Sequence, residues 1–308
     1  MKPVLLVGND INNVTNNISW QGLLKEIIDA ANVQIDVGNM LKKPFPLLYE
    51  EIYLNSIRSS DLPEIELKRR IGKIVDQIKP NSIHSRIAES TIDNVLTTNY
   101  EHSLERSIKS RAKRLRNLGI IKEAKYSIFR HHELGNKFIW HIHGDMYAPN
   151  SILLGYEQYS GQLQQMRNYL ITGSNYKSGD VPKRPLINRL GQGDYQLLSW
   201  IDFFFSRDIH ILGLKLDFTE SDLWWLFTIR SRRIFEKQLR RGKFEPFLYQ
   251  AMNSSIHYYY PAEYHDQQRV ELMQVNGMKT IAIDEANKEV YYHKVLDRIN
   301  DAHESITI

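Results

Sequence analysis

Four short, mostly apolar runs recur along the chain, and each ends in small or polar residues. The runs are Lys2–Val7, Asp93–Leu96, Phe138–Ile142 and Ile209–Leu212. Apolar runs of this length without alternation are typical of parallel strands buried on both faces. The residues that follow them are Gly8-Asn9-Asp10, Thr97-Thr98-Asn99, His143-Gly144-Asp145 and Gly213.

Helical periodicity fills much of the chain between the first two runs. Apolar residues recur three and four positions apart in residues 20–28, 47–54 and 63–78, and a short helix is expected around 82–88. The helices within about residues 38–90 read as an insertion between two strands of the sheet.

The remaining pattern completes an α/β fold. The alternating residues 126–130 predict a strand, and two further strands are expected at residues 255–260 and 278–283. Residues 172–193 contain four glycines and two prolines, which predicts a mobile loop and a candidate lid. We therefore predict one doubly wound domain over residues 1–308, with a mostly parallel, Rossmann-like sheet and a helical insertion.

Polar residues at the strand ends predict the position of a binding cleft. Ligands of open α/β sheets bind outside the carboxyl ends of the parallel strands. If the four ends meet, one cleft holds Asn9, Asn99, His143 and Asp145. The first turn, Gly8-Asn9-Asp10, leads through an asparagine-rich loop towards Trp20 and resembles a phosphate-binding turn, although it lacks the glycine triplet of a dinucleotide fingerprint.

Composition narrows the classes of protein. The 308 residues are 42% apolar, which suffices for a substantial core, and the formal net charge is a mild +4. With zero cysteines, disulfides, thiolate catalysis and cysteine-based zinc sites are excluded. No apolar run is long enough to span a bilayer and no signal segment is recognisable, so a cytoplasmic protein without membrane contact is expected.

Histidines near the third run raise the question of a metal. His141 and His143 alternate along a strand, and a third ligand could come from His131, His132, Glu133 or Asp145. Spacing fixes no third ligand, and histidines at this density are more often polar strand ends. No metal is therefore expected.

Two basic stretches, Arg106–Lys125 and Arg230–Lys243, are read as helical and allow two interpretations. They could follow phosphates, or they could be solvated faces or an electrostatic contact between subunits. Aromatic stacking residues are absent from the first stretch until Tyr126. At most weak, sequence-independent contact with nucleic acid is therefore expected.

The ends of the four runs together resemble the sirtuin family of NAD-consuming enzymes. The resemblance rests on Gly8-Asn9, Thr97-Thr98-Asn99-Tyr100, His143-Gly144-Asp145 and Ile211-Leu212-Gly213-Leu214, in that order. Within this resemblance, the closer similarity is to the divergent, zinc-free sirtuin-like domains of bacterial antiphage defence. The four zinc-binding cysteines of sirtuins have no counterpart, nor do the Gly-Ala-Gly and Pro-Asp-Phe-Arg stretches of their first loop. Because that zinc module helps to form the acyl-lysine groove, protein deacylation is disfavoured.

The resemblance implies roles for particular residues. Asn99 positions water or the nicotinamide ribose, and His143 acts as a base on the ribose hydroxyls. Contacts to NAD are implied for the other motif residues, namely Gly8, Asn9, Asp10, Trp20, Thr98, Asp145 and Gly213. Asp217 and Asp222 could reach a ribose, but carboxylates at a helix start are usually caps.

The chemistry of the two central residue types agrees with that assignment. Cleavage of the nicotinamide N-glycosidic bond builds positive charge on the ribose, which requires polar groups and a positioned water. An amide at Asn99 and an imidazole at His143 can supply both.

The leading hypothesis is therefore an NAD glycohydrolase, with NAD as its substrate, which depletes NAD in antiphage defence by abortive infection. The alternatives are an NAD- or ADP-ribose-sensing or nucleic-acid-binding module without turnover, and a sirtuin-like deacylase or ADP-ribosyl transferase. A homo-oligomer is expected, together with a neighbour-encoded partner such as an ATPase or a nucleic-acid-guided protein.

Overall fold

The computed structural model describes residues 2–15, 20–35, 42–60, 62–108, 116–194, 196–239 and 253–304. Its centre is an eight-stranded sheet in the order β3-β4-β5-β2-β1-β6-β7-β8. The strands are β1 Val4–Val7, β2 Asn94–Thr97, β3 Arg116–Leu118, β4 His131–Leu134, β5 Lys137–His141, β6 Ile209–Leu212, β7 Ile256–Pro261 and β8 Met278–Ile283. Among these described strands, β3–β4 and β4–β5 pair antiparallel and the other neighbours pair parallel.

Helices cover both faces of this sheet. They are α1 Trp20–Ala31, α2 Phe45–Ser60, α3 Glu64–Val75, α4 Ser82–Glu89, α5 Ser103–Ser107, α6 Tyr156–Arg167, α7 Leu186–Leu190, α8 Trp200–Phe203, α9 Ser221–Leu239, α10 Gln267–Val275 and α11 Lys288–Glu304. Short 3-10 segments lie at Asn9–Val14, Pro149–Ser151 and Ala262–Tyr264, and a π-helical turn at Asn168–Thr172. The predicted α/β class with a mostly parallel sheet is confirmed.

Alternate residues of the central strands enter two different cores, which is why these strands are apolar throughout. In β1, Leu6 packs with Trp200 and Phe227 on one face of the sheet. Leu5 packs with Tyr291 of α11 on the other. Burial on both faces removes the period-two alternation that a half-exposed strand would show.

A third core lies in the helices between β1 and β2. Leu24 of α1, Ile52 of α2 and Ile71 of α3 pack together with Met146 and Ile152, which follow β5. The insertion is thereby joined to the loop that carries His143 and Asp145. The division into one domain with a mobile loop stays a prediction, although residues 172–193 contain helix α7 and bury Val181.

Two local predictions are wrong. The alternating residues Tyr126–Arg130 do not form a strand, because the Glu123 carboxylate accepts the backbone N–H groups of Ile128, Phe129 and Arg130 at 2.8–3.0 Å. Those donors are therefore not available to a sheet ladder.

The first basic stretch is also not one helix. Helix α5 ends at Ser107 and residues 116–118 form β3, while residues 109–115 lie outside the described part of the chain. Of the second stretch, α9 carries the residues as far as Leu239. Every helix in the described ranges is too short or too polar to cross a bilayer.

Candidate active site

The register of the sheet brings the predicted strand ends to one edge. Val7 pairs with Thr97 on one side and with Leu212 on the other, and Thr97 pairs in turn with His141. The chain continues from β1 to β2 on one side and reaches β6 on the other, so the carboxyl end of β1 is a switch point of the topology. Such a point is where doubly wound sheets bind ligands.

Asn99 occupies a tight turn directly after β2. Its N–H donates to Thr97 Oγ1 at 3.0 Å, and its Nδ2 donates to Glu101 Oε1 at 3.4 Å. The residue is only 5% exposed, yet its Oδ1 has no hydrogen-bond partner among the described residues. A buried amide oxygen of this kind is costly unless a ligand or water donates to it.

A polar network links Asn99 to the first turn. Asn12 Nδ2 donates to Asn9 Oδ1 at 2.8 Å and to Glu101 Oε1 at 3.1 Å. Burial raises the pKa of Glu101, although the hydrogen bond from Asn12 acts in the opposite direction. The sequence reasoning missed both Asn12 and Glu101, because neither belongs to a motif.

His143 is held by a carboxylate that is distant from it in the sequence. Its Nε2 lies 3.0 Å from Asp222 Oδ2, and both residues are almost completely buried. Burial lowers the pKa of His143, but the Asp222 carboxylate outweighs burial and holds that pKa above its ordinary value. With Nε2 engaged, Nδ1 is the nitrogen that remains to accept a proton.

Glu220 adds a second titratable group beside this pair. Burial raises the pKa of its carboxyl to about 7, with His143 opposing and Asp222 adding to the shift. Its Oε2 is enclosed and has no hydrogen-bond partner within the described ranges. A carboxyl with a pKa near neutrality can exchange protons at physiological pH.

Hydrogen bonds tie the Asn99 turn to the His143 turn. Tyr100 Oη donates to Leu153 O at 2.6 Å, and Leu153 N–H donates to His143 O at 2.9 Å. Met146 N–H also donates to Tyr100 O at 3.0 Å. The two predicted catalytic residues therefore lie on turns that are joined by hydrogen bonds at the sheet edge.

Asp145 lies in a neighbouring polar cluster with three histidines. It is 1% exposed, and its carboxylate lies 3.2 Å from His102 Nε2, 3.4 Å from Arg130 Nη2 and 3.6 Å from His132 Nε2. Burial opposes ionisation, but these partners lower the pKa of Asp145. Its side chain thus has partners within the protein, and the NAD contact predicted for it stays a prediction.

The glycines of the first and sixth strands pack against each other. A Cβ on Gly8 would lie 2.4 Å from Gly213 O and from Leu214 Cα. Gly213 itself has φ +67°, and its carbonyl accepts from Asp10 N–H at 2.9 Å. Gly8 therefore permits close approach of the Gly213 turn. The NAD contacts predicted for Gly8 and Gly213 stay predictions.

Three other residues with predicted NAD contacts are placed as follows, and those contacts stay predictions. The Asp10 carboxylate accepts from Lys288 Nζ at 2.9 Å and Tyr292 Oη at 2.6 Å, which anchors α11. Thr98 is half-buried and its N–H donates to Val7 O. Trp20 begins α1, and its side chain lies outside the described residues.

A comparison with protein families finds a match that includes this edge of the sheet. Residues 93–178 match the SIR2-like domain. The SIR2-like match covers Asn99 and His143, and it supports a sirtuin-like domain and NAD-related activity. It spans less than half of the chain, and Glu220 and Asp222 lie beyond it. No curated protein matches the chain.

Proposed function

We propose that the chain is an NAD glycohydrolase that cleaves NAD to nicotinamide and ADP-ribose. The observation that carries this proposal is the pairing, within one SIR2-like sheet edge, of a buried amide oxygen on Asn99 with a carboxylate-held imidazole on His143. SIR2-like domains use NAD. A readily available test is to incubate the purified chain with NAD and to separate the products by chromatography.

Each residue has a chemical task in this proposal. The bond between ribose C1′ and the nicotinamide nitrogen breaks with its electron pair passing to nicotinamide, which leaves as a neutral molecule. The oxygen of a water molecule forms the new bond to C1′ and gives up a proton. Asn99 Oδ1 accepts a hydrogen bond from the incoming water or a ribose hydroxyl. His143 Nδ1 takes a proton from the ribose or water oxygen, while Asp222 stabilises the imidazolium that forms.

Negative charge near the edge favours the same reaction. Asp222 and, when ionised, Glu220 lie next to the histidine that would face the ribose. Carboxylates stabilise the oxocarbenium-like charge that develops as the glycosidic bond opens. The alternative of deacylation is less well supported, because no cysteine is present to build the zinc module of an acyl-lysine groove.

Replacing Asp222 with asparagine should shift the pH profile of nicotinamide release. His143 must be neutral to accept a proton, so activity rises as pH increases through its pKa. Asp222 raises that pKa, and its removal leaves burial dominant, so the pKa falls. The acidic limb should therefore move to lower pH in Asp222→Asn, with a lower plateau because the ring is less well oriented.

The matched control for this profile is Asp180→Asn, which changes an exposed aspartate. Its acidic limb should coincide with that of the parent. An unchanged acidic limb of the pH profile in Asp222→Asn would show that His143 is not the base.

We further propose that the activity serves antiphage defence in an assembly. The support is the resemblance to zinc-free defence domains and the need to restrain an enzyme that consumes a central cofactor. A homo-oligomer or a neighbour-encoded ATPase or nucleic-acid-guided protein would then close the cleft. The basic residues would contribute at most weak, salt-sensitive contact with nucleic acid.

Co-expression with the neighbour-encoded protein should raise NAD turnover at equal active-site concentration. The expected cause is ordering of the cleft on assembly, so the lone chain should be slow. Nicotinamide release would be compared for the lone chain and the purified complex. Full activity in a dilute monomer, unaffected by the neighbouring protein, would contradict control by assembly.

A further inference from the structure

Four buried side chains of metal-binding types meet beside the candidate active site. His102 precedes α5, Glu105 lies in its first turn, His132 is on β4 and His141 ends β5. Each offers one ligand atom, and these atoms all lie within 4.8 Å of one another. The four residues, which we call the His3Glu cluster, are each at least nine-tenths buried.

Glu105 is the centre of the His3Glu cluster. Its Oε1 lies 2.7 Å from His132 Nδ1 and 2.8 Å from His141 Nε2. Its Oε2 is buried and has no hydrogen-bond partner among the described residues. A carboxylate oxygen enclosed in this way requires a compensating positive charge or donor.

Outer partners hold the opposite nitrogens of His141 and His102, and the opposite nitrogen of His132 faces Asp145 at ion-pair distance. His141 Nδ1 donates to Asn99 O at 2.7 Å. His102 Nε2 lies 3.2 Å from Asp145 Oδ1, and His132 Nε2 lies 3.6 Å from Asp145 Oδ2. Metal-binding histidines commonly use their second nitrogen in this way, towards a carboxylate or a backbone carbonyl, which fixes the tautomer and the ring orientation.

These outer contacts determine which nitrogens face inward. His141 Nε2 and His132 Nδ1 face Glu105. In His102, Nε2 faces Asp145, so Nδ1 is the other ring nitrogen, which can bind a metal. Three imidazole nitrogens and one carboxylate oxygen form a ligand set that suits tetrahedral zinc.

We propose that the His3Glu cluster binds one divalent transition-metal ion of the zinc type. All four ligands come from the protein, so the ion is structural. It joins α5, β4 and β5, and through His141 it fixes the Asn99 carbonyl. The Glu105 carboxylate offsets part of its positive charge, and the Asp145 carboxylate, which also faces Arg130, lies behind His102 and His132.

This proposal differs from the expectation that no metal binds. That expectation paired His141 with His143, but the two rings have different partners, Glu105 and Asp222. No spacing in the sequence links His102 and Glu105 to His132, since only the fold brings them together. Metal binding is a property separate from the proposed NAD glycohydrolase activity, because zinc content and cobalt spectra are measured without NAD.

The first experiment measures metal in the intact chain, purified without a histidine tag from zinc-supplemented medium. We expect about one zinc per chain by elemental analysis, and a lower unfolding temperature after chelation. Cobalt added to the stripped chain should give the intense visible bands of tetrahedral coordination. The proposal is wrong if the chain holds no stoichiometric zinc after growth and reconstitution, and if added cobalt gives only the spectrum of aqueous cobalt. The four side chains would then form a hydrogen-bonded network and not a metal site.

Matched variants locate the ion. His132→Gln should lose the bound zinc and the cobalt bands, whereas His131→Gln should keep both. His131 precedes His132 on β4, but its ring packs on Trp140 and its Nδ1 bonds Phe129 O. Zinc and cobalt bands that are retained in His132→Gln would overturn the assignment. If that variant does not fold, the zinc content and the cobalt spectrum of the parent decide whether the cluster binds metal.

Discussion

Replacing His143 with alanine, or Asn99 with alanine, is expected to lower nicotinamide release from NAD by about a hundredfold or more. His143→Ala removes the group that accepts a proton, and Asn99→Ala removes the oxygen that positions water or the ribose. The effects should fall on kcat more than on KM, because both groups act on charge that develops during bond cleavage.

The controls for these two variants are His265→Ala and Asn188→Ala, which change exposed residues of the same types. Both should retain the parent rate. All four variants should unfold cooperatively, since neither catalytic side chain belongs to an apolar core. Parent rates in folded His143→Ala and Asn99→Ala would show that the reaction, if any, takes place elsewhere.

The second large effect is expected from Gly144→Ala, which should reduce the free energy of unfolding by roughly 3 kcal/mol or more. Gly144 has φ +92°, and a Cβ there would lie 2.1 Å from Ser151 O and 2.6 Å from Ile152 N. These atoms belong to the backbone, so relief requires the loop to move. Because Gly144 stands between His143 and Asp145, nicotinamide release should fall as well.

Urea unfolding of Gly144→Ala and of Gly179→Ala measures this effect against a matched change. A Cβ on Gly179 would meet nothing within 4 Å. Gly179→Ala should therefore stay within about 0.5 kcal/mol of the parent. Equal stability of the two variants would contradict the described turn after His143.

The central strands could be predicted from the sequence because burial on both faces leaves a local signal. β1, β2 and β6 are short apolar runs bounded by glycine or asparagine, and their parallel pairing follows from the helices between them. Convergence of Asn99 and His143 at one edge follows from that pairing. The wrong strand at Tyr126–Arg130 shows the limit, since the Glu123 side chain takes those backbone donors.

The partners of the site residues could not be predicted, because their contacts are distant in sequence. Asp222 lies 79 positions from His143, and a carboxylate at a helix start is usually a cap. Glu105 lies 36 positions from His141, with no spacing that suggests a shared ion. Gly8 illustrates the same limit, since only the fold shows that the Gly213 turn occupies the space next to it.

The most direct test of the account is to follow both products when NAD is incubated with an excess of the parent chain, alone and with its neighbour-encoded partner. We predict nicotinamide and ADP-ribose in equal amounts, with little of either from the chain that carries both Asn99→Ala and His143→Ala. NAD that binds but remains intact in both preparations would instead identify a sensing module, and NAD that does not bind at all would contradict the site itself.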